Sequence, residues 1–239
     1  MIAKMSTETD FELNQKLDTR RNAFLAILAL CGITGPVLYT LLLITLGFLT
    51  PGYNHATDMM SILGGVGGIR AAIFNTGVTV TGLLIFLFAI GLHKGIMPGK
   101  GSFAGPLMLM IAGAGLVGAA YYHCDQGCEN VLSFTFTGIM HSLTSFLTGF
   151  CAGVAPLVIY LRIRNDPRWE KYSSFTLFSG LVANTIGIGF WISLIVFRQE
   201  TEMLRGMLQR LGIAFPFLWI VIIAVQLLRL STGDQKANL

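Results

Sequence analysis

Residues 23–50 are AFLAILALCGITGPVLYTLLLITLGFLT, a run without a single charged side chain. A helix needs about 20 apolar residues to cross the hydrocarbon core of a bilayer, and this run exceeds that length. Because unpaired backbone groups are not tolerated in lipid, the run is predicted to be a helix. Five further apolar stretches of similar character follow, at about residues 71–93, 103–122, 132–161, 173–197 and 207–230.

The composition of the whole chain supports a membrane protein. Of its 239 residues, 54% are hydrophobic and 12% are charged, about half the charged fraction of a soluble domain, and the mean hydropathy is +0.69. Six spans occupy residues 23–230 and leave only polar tails at 1–22 and 231–239. The predicted fold class is therefore an all-α integral membrane protein, a six-transmembrane-helix bundle.

Lysine and arginine are distributed unevenly between the two sides of this bundle. With the amino terminus inside, 12 of the 16 basic residues are cytoplasmic, and the outer loops hold only Arg70, Arg198, Arg205 and Arg210. The positive-inside rule therefore predicts a plasma-membrane protein with both termini in the cytoplasm. The net charge of +4 reflects this topology, and no single-faced basic patch indicates nucleic acid. Membrane lipids are the expected partners, and the oligomeric state is not indicated.

The fourth span carries a histidine, His141, about nine residues from its outer end. With Thr137, Thr144, Ser145 and Thr148 it forms a polar stripe, because spacings of three and four place residues on one helical face. Such a stripe either lines a polar cavity open to the outside or hydrogen-bonds a neighbouring helix. No Asp, Glu, Lys or Arg is predicted near the bilayer centre, which disfavours an ion-coupled carrier.

The first two outer loops hold the other candidate residues. The first, PGYNHATDMMSILG at 51–64, predicts a turn and then a short amphipathic helix with Asp58 and Ser61 on one face. The second, YYHCDQGCE at 121–129, places Cys124 and Cys128 four residues apart. In an oxidising compartment this spacing permits a local disulfide.

Several short motifs along the chain together resemble a known family. They are Pro51-Gly52, Ser61-x-Leu63-Gly64, Phe74-Asn75-x-Gly77, Cys124-Asp125-x-Gly127-Cys128 and His141. Their order and placement resemble the prokaryotic six-span membrane family catalogued as domain of unknown function 998, over about residues 26–230. Glu129 departs from the proline expected there. The resemblance implies a six-helix bundle with its marked residues on the outer side, and it implies no established activity.

Three functions agree with these residues. The first is binding of a lipid or amphiphile in a polar cavity open to the outer leaflet. A more distant likeness to eukaryotic six-span proteins of lipid remodelling and lipid asymmetry favours such a ligand, by analogy of fold alone. The expected ligand contacts are His141, Asn75, Ser61, Asp58, Thr137 and Ser145.

The alternatives are a metal-dependent lipid hydrolase and a small-solute transporter. In the hydrolase, His and Asp side chains at the outer face hold a zinc ion that activates water. Its catalytic candidates are His141, Asp58 and Ser61, and its metal candidates are His55, His123, His141 and Asp125. The first function needs no cofactor.

The depth of His141 leads to one further prediction. A neutral imidazole inside a membrane is costly unless its nitrogens have hydrogen-bond partners. We expect those partners to come from the second span and the first outer loop, as Asn75, Asp58 and Ser61.

Overall fold

A computed structural model describes residues 2–99, 101–125, 135–197 and 202–233. These residues form helices and loops with no strand, and six of the helices are long and apolar enough to span a membrane. The all-α, six-span prediction is confirmed. The helices are α1 (Ile2–Leu49), α2 (Ile62–Gly65), α3 (Gly68–Gly95), α4 (Ala104–Tyr121), α5 (Phe136–Ile163), α6 (Ser173–Ile195) and α7 (Arg205–Thr232), with 3₁₀ turns at Glu170–Tyr172 and Glu202–Leu204.

The first helix differs most from its predicted bounds. It begins at Ile2, so the polar stretch before residue 23 continues the first span as one helix. The start predicted for the fourth span, at residue 132, lies outside the described residues. Among those described, Thr135 caps α5, because its Oγ1 accepts a hydrogen bond from Gly138 N at 3.0 Å and satisfies one unpaired donor of the first turn.

The six spanning helices form a closed ring in chain order. Each of them contacts the next along the chain, and α7 returns to contact α1. An even number of spans brings both ends of the chain to one face, which we call the terminal end. We call the opposite face, where α1 connects to α3, α4 to α5 and α6 to α7, the loop end.

Glycines allow close packing between several neighbouring helices. A Cβ atom at Gly82 would lie 2.5 Å from Gly113 O, so α3 and α4 meet through their backbones. A Cβ atom at Gly115 would lie 2.4 Å from the Thr148 hydroxyl on α5. Small residues at such positions let membrane helices gain van der Waals contact.

The backbones of helices α5 and α6 approach closely in the halves nearer the terminal end. There a Cβ atom at Gly180 would lie 2.5 Å from Leu157, and Asn184 Nδ2 donates to Gly153 O at 2.8 Å. Three glycines nearer the loop end are different, since a Cβ atom on any of them would meet nothing within 4 Å. These are Gly149, Gly187 and Gly189. These glycines therefore do not serve close helix packing, and α5 and α6 separate toward the loop end.

A buried carboxylate orders the loop between α5 and α6 at the terminal end. Asp166 is 1% exposed and accepts hydrogen bonds from Arg168 Nη2 at 2.7 Å, Arg168 Nε at 3.0 Å and Met97 N at 3.2 Å. Burial alone would raise the pKa of this carboxyl, but these hydrogen bonds outweigh it and hold the pKa below its ordinary value. The charge-assisted bonds join the α3–α4 loop to the α5–α6 loop.

Candidate functional site

A cavity of about 460 Å³ lies at the loop end, a volume typical of small-molecule sites. All six spanning helices contribute to its wall, and so do both loops that the sequence analysis singled out. Gly149 and Gly187 line it, so it occupies the space created where α5 and α6 separate.

The structure brings together most of the residues predicted to form a site. The predicted residues that line the cavity are His141, Asn75, Ser61, Ser145, His123 and Asp125. Asp58, Thr137 and His55 are not among its lining residues. The amphipathic helix expected in the first loop is also absent, since residues 51–61 form turns and only Ile62–Gly65 is helical. Asp58 and Ser61 therefore do not share a helix face.

His141 is held by the end of α4. Its Nδ1 lies 2.8 Å from Tyr122 O and 3.1 Å from Ala119 O, which are carbonyl groups left without helical partners at the end of a helix. The prediction that Asn75, Asp58 and Ser61 are its hydrogen-bond partners is wrong. Because both partners are acceptors, Nδ1 carries the proton, and in the neutral ring Nε2 is then an acceptor. That nitrogen is available to a ligand in the cavity that the ring lines.

The polar stripe of α5 serves both of the roles considered for it. Thr148 donates to Ala112 O at 3.3 Å, and Thr144 packs against Gly118, where a Cβ atom would lie 2.6 Å from its methyl carbon. These contacts join α5 to α4, whereas Ser145 and His141 also face the cavity. The helix–helix and cavity interpretations are therefore compatible, because neighbouring positions of one face meet different surroundings.

Asp125 is the one Asp, Glu, Lys or Arg among the described residues that line the cavity. Both of its carboxylate oxygens lie within hydrogen-bond distance of the Thr135 hydroxyl, at 2.8 and 2.9 Å. Thr135 also caps α5, so the carboxylate is fixed relative to the helix that carries His141. The carboxylate of Asp125 gives the described wall a negative charge at this point. His141 Nε2 on α5 adds an uncharged hydrogen-bond acceptor to the same wall.

The α6 side of the cavity is apolar. Ile188, Ile192 and Phe146 line it, and they are 59%, 46% and 43% exposed. Phe146 on α5 and Trp191 on α6 meet edge to face, with ring centroids 5.5 Å apart. This side of the cavity therefore offers apolar contacts to the hydrocarbon part of a ligand.

Asn75 positions the short helix α2 at the cavity wall. Its Nδ2 donates to Gly64 O at 3.0 Å, and a Cβ atom at position 64 would lie 2.3 Å from its Oδ1. Gly64 is therefore required for this close approach. Asn75 and Gly64 belong to two different motifs of the family resemblance, and their contact fixes the turn that follows Ser61.

Arg210 on α7 anchors the first loop, a role that the sequence analysis missed. Its Nη1 donates to Asp58 O at 2.9 Å, and its Nη2 donates to Tyr53 OH and, at 3.3 Å, to His55 Nδ1. An arginine inside an apolar span is costly without partners, and that is the signal that could have identified it. The carboxylate of Asp58 stays within the loop, where Oδ2 accepts from Asn54 N at 2.8 Å.

His55 lies beside Arg210 and apart from the cavity. Burial and, to a smaller extent, the positive charge of Arg210 lower the pKa of His55. Its placement separates it from His123 and His141, with which it was expected to hold a metal. Within the part of the chain that the structure describes, no three His, Cys, Asp or Glu side chains form a group that could hold a metal ion.

Cys124 connects the first two loops of the loop end. It is buried, its Sγ lies 3.3 Å from Ser61 O, and a Cβ atom at Gly65 would lie 3.0 Å from that sulfur. Its predicted disulfide partner, Cys128, lies outside the described residues, so the pairing stays a prediction.

These features define a multi-pass membrane protein with a cavity at one end of a six-helix ring. The chain belongs to the family described as "Protein of unknown function (DUF998)", whose profile matches residues 33–226. This agrees with the resemblance seen in the sequence motifs. No curated protein and no solved structure matches the chain closely enough to count as similar.

Proposed function

We propose that this protein binds an amphiphile at the loop end, with the apolar chain between α5 and α6 and the head group beside His141. The observation that carries the proposal is the presence of a polar wall and an apolar wall in one cavity. The cavity joins a polar wall, with His141 Nε2 as acceptor, to half-exposed apolar residues of α6 such as Ile188. Such a site suits a ligand that reaches it from within the bilayer.

The polar wall favours a particular class of head group. Asp125 supplies a negative charge, and the described lining residues include no Lys or Arg. A head group with hydroxyl or amine donors can bond to His141 Nε2 and is attracted by the carboxylate, whereas an anionic head group is repelled. We therefore infer a neutral or amine-bearing amphiphile as the ligand class.

The orientation of the protein in the membrane is a separate part of the proposal. We propose a plasma-membrane protein with both termini in the cytoplasm, as the distribution of basic residues predicts. The cavity then opens toward the outer leaflet.

Neither alternative function receives comparable support from the described residues. A metal-dependent hydrolase needs its His and Asp candidates around one ion, and among the described residues no three His, Cys, Asp or Glu side chains form such a group. For a transporter, no feature of the described residues favours transport over binding.

The test uses cavity-filling variants and single-chain probes. Gly187→Leu adds a side chain inside the cavity, whereas the matched control Gly189→Leu adds the same group on the same helix at a position that does not line it. Purified protein in detergent is titrated with a long-chain amine, alcohol or carboxylate of equal chain length. We expect the amine and alcohol to bind more tightly than the carboxylate, and Gly187→Leu but not Gly189→Leu to abolish binding.

The head-group contacts are tested in the same titrations. His141→Leu should weaken binding of the amine and the alcohol while the helices stay folded, since Leu suits a membrane helix. Asp125→Asn should weaken binding of the amine more than binding of the alcohol, because only the amine is attracted by the charge of the carboxylate. Equal binding of all three probes, unaffected by Gly187→Leu, would refute the proposal.

A further inference from the structure

A second pocket, of about 360 Å³, lies at the terminal end between α1 and α3, beside the loop that leads to α4. It is at the opposite face of the bundle from the amphiphile cavity, and its chemistry is different. Its polar lining residues are Arg21 on α1, His93 and Lys94 at the end of α3, and Ser102 just before α4.

The pocket concentrates positive charge that forms no ion pair with any Asp or Glu side chain among the described residues. Its described lining residues include no Asp or Glu. Asp18 lies one turn before Arg21 on α1, but among the described residues the one ion pair is that of Arg168 with Asp166. Two cations facing a shared space without a counter-ion favour an anionic ligand.

Two further groups in the pocket suit an anion. His93 lines the pocket, and a ring N–H of a histidine can donate a hydrogen bond to a ligand oxygen. Ser102 stands two residues before the first residue of α4, and the amino-terminal end of an 18-residue helix carries partial positive charge.

The remaining wall of the pocket is apolar, and it can contact the hydrocarbon part of a ligand that carries the anion. Phe24 lines the pocket and is 47% exposed, and Leu25 beside it is buried. We propose that this pocket binds a phosphate group, either as the head group of an anionic phospholipid or as a free phosphate. Basic pockets between membrane helices at one face of the bilayer bind lipid phosphates in this way.

The test is competitive binding to the full chain purified in detergent. Phosphatidylglycerol and phosphatidylcholine with the same acyl chains are added together, and bound lipid is counted by native mass spectrometry. We expect phosphatidylglycerol to be retained preferentially, and Arg21→Gln and Lys94→Gln each to weaken its binding about fivefold. Lys94→Arg keeps the charge and should restore binding.

The control separates the pocket from the general charge of this face. Arg20 is the neighbour of Arg21, is exposed and does not line the pocket, so Arg20→Gln should leave binding unchanged. Added inorganic phosphate distinguishes the two sources: displacement of the lipid assigns free phosphate as a ligand, and no displacement assigns the lipid head group. Equal retention of both lipids, or an equal effect of Arg20→Gln and Arg21→Gln, would overturn the proposal.

Discussion

Replacement of Gly206 by alanine should release the first loop from α7. Gly206 N donates to Thr57 O at 3.2 Å, and Met207 N donates to Ala56 O at 2.9 Å. Carbonyl groups of the loop therefore accept hydrogen bonds from N–H groups in the first turn of α7. A Cβ atom at position 206 would lie 2.4 Å from Asp58 O. That oxygen belongs to the backbone, and a backbone contact of this length cannot be relieved by rotating a side chain.

The size of the effect follows from the bonds that are lost. Two neutral hydrogen bonds contribute about 1 kcal/mol each, and the bond from Arg210 to Asp58 O contributes about 2 kcal/mol because its donor is charged. Alanine gains up to about 1 kcal/mol over glycine in a helix. The loop should therefore open more easily by about 3 kcal/mol, which is a factor of roughly 100 in the opening equilibrium.

Amide hydrogen exchange measures this opening directly. The amide of Met207, which donates to Ala56 O at 2.9 Å, should exchange roughly 100-fold faster in Gly206→Ala, in line with that equilibrium. Gly212→Ala is the control, since a Cβ atom there would meet only Ile186, at an ordinary 3.9 Å. Unchanged exchange in Gly206→Ala, or equal acceleration in the control, would refute the argument.

Three further predictions concern topology, the disulfide and pH. Cysteine placed at Asn54 should react with a membrane-impermeant reagent applied to intact cells, and cysteine placed at Asn165 should not; the reverse result would invert the proposed orientation. Mass spectrometry of non-reduced peptides should find Cys124 joined to Cys128, and two free thiols would remove that pairing. Because burial and then a neighbouring guanidinium lower the pKa of His55, its contribution to stability is present above its ordinary pKa of about 6.5 and is lost as the pH falls below it. The Tm in detergent should therefore fall between neutral pH and about pH 5, and His55→Gln should reduce that fall; an unaltered pH dependence in the variant would contradict this role.

The spans could be predicted from the sequence because their signal is local. A run such as residues 23–50 is apolar throughout, and length and composition alone decide that it crosses a bilayer. The polar stripe around His141 was also visible, since helical spacing places those residues on one face. Its position at a cavity agrees with one of the two interpretations offered.

The details of the site depend on contacts that leave no local pattern. The partners of His141 are backbone carbonyls of Ala119 and Tyr122, and every residue type offers a carbonyl. Arg210 bonds to a loop about 150 residues earlier in the chain. The sequence analysis counted Arg210 only as one of the basic residues of the loops, and no local pattern indicated this distant partner. Gly187 and Gly180 look alike in the sequence, although one faces empty space and the other packs against Leu157.

The separation of α5 from α6 also determines where the protein ends and the membrane begins. Near the terminal end Gly180 and Leu157 close the gap between these helices, so annular lipid there meets a continuous protein surface. In the other leaflet the same two helices leave the space that Gly149 and Gly187 line. If the proposed amphiphile occupies that space, a molecule that the chain does not encode completes the packing of this leaflet, and the stability of the protein should depend on the composition of the bilayer around it.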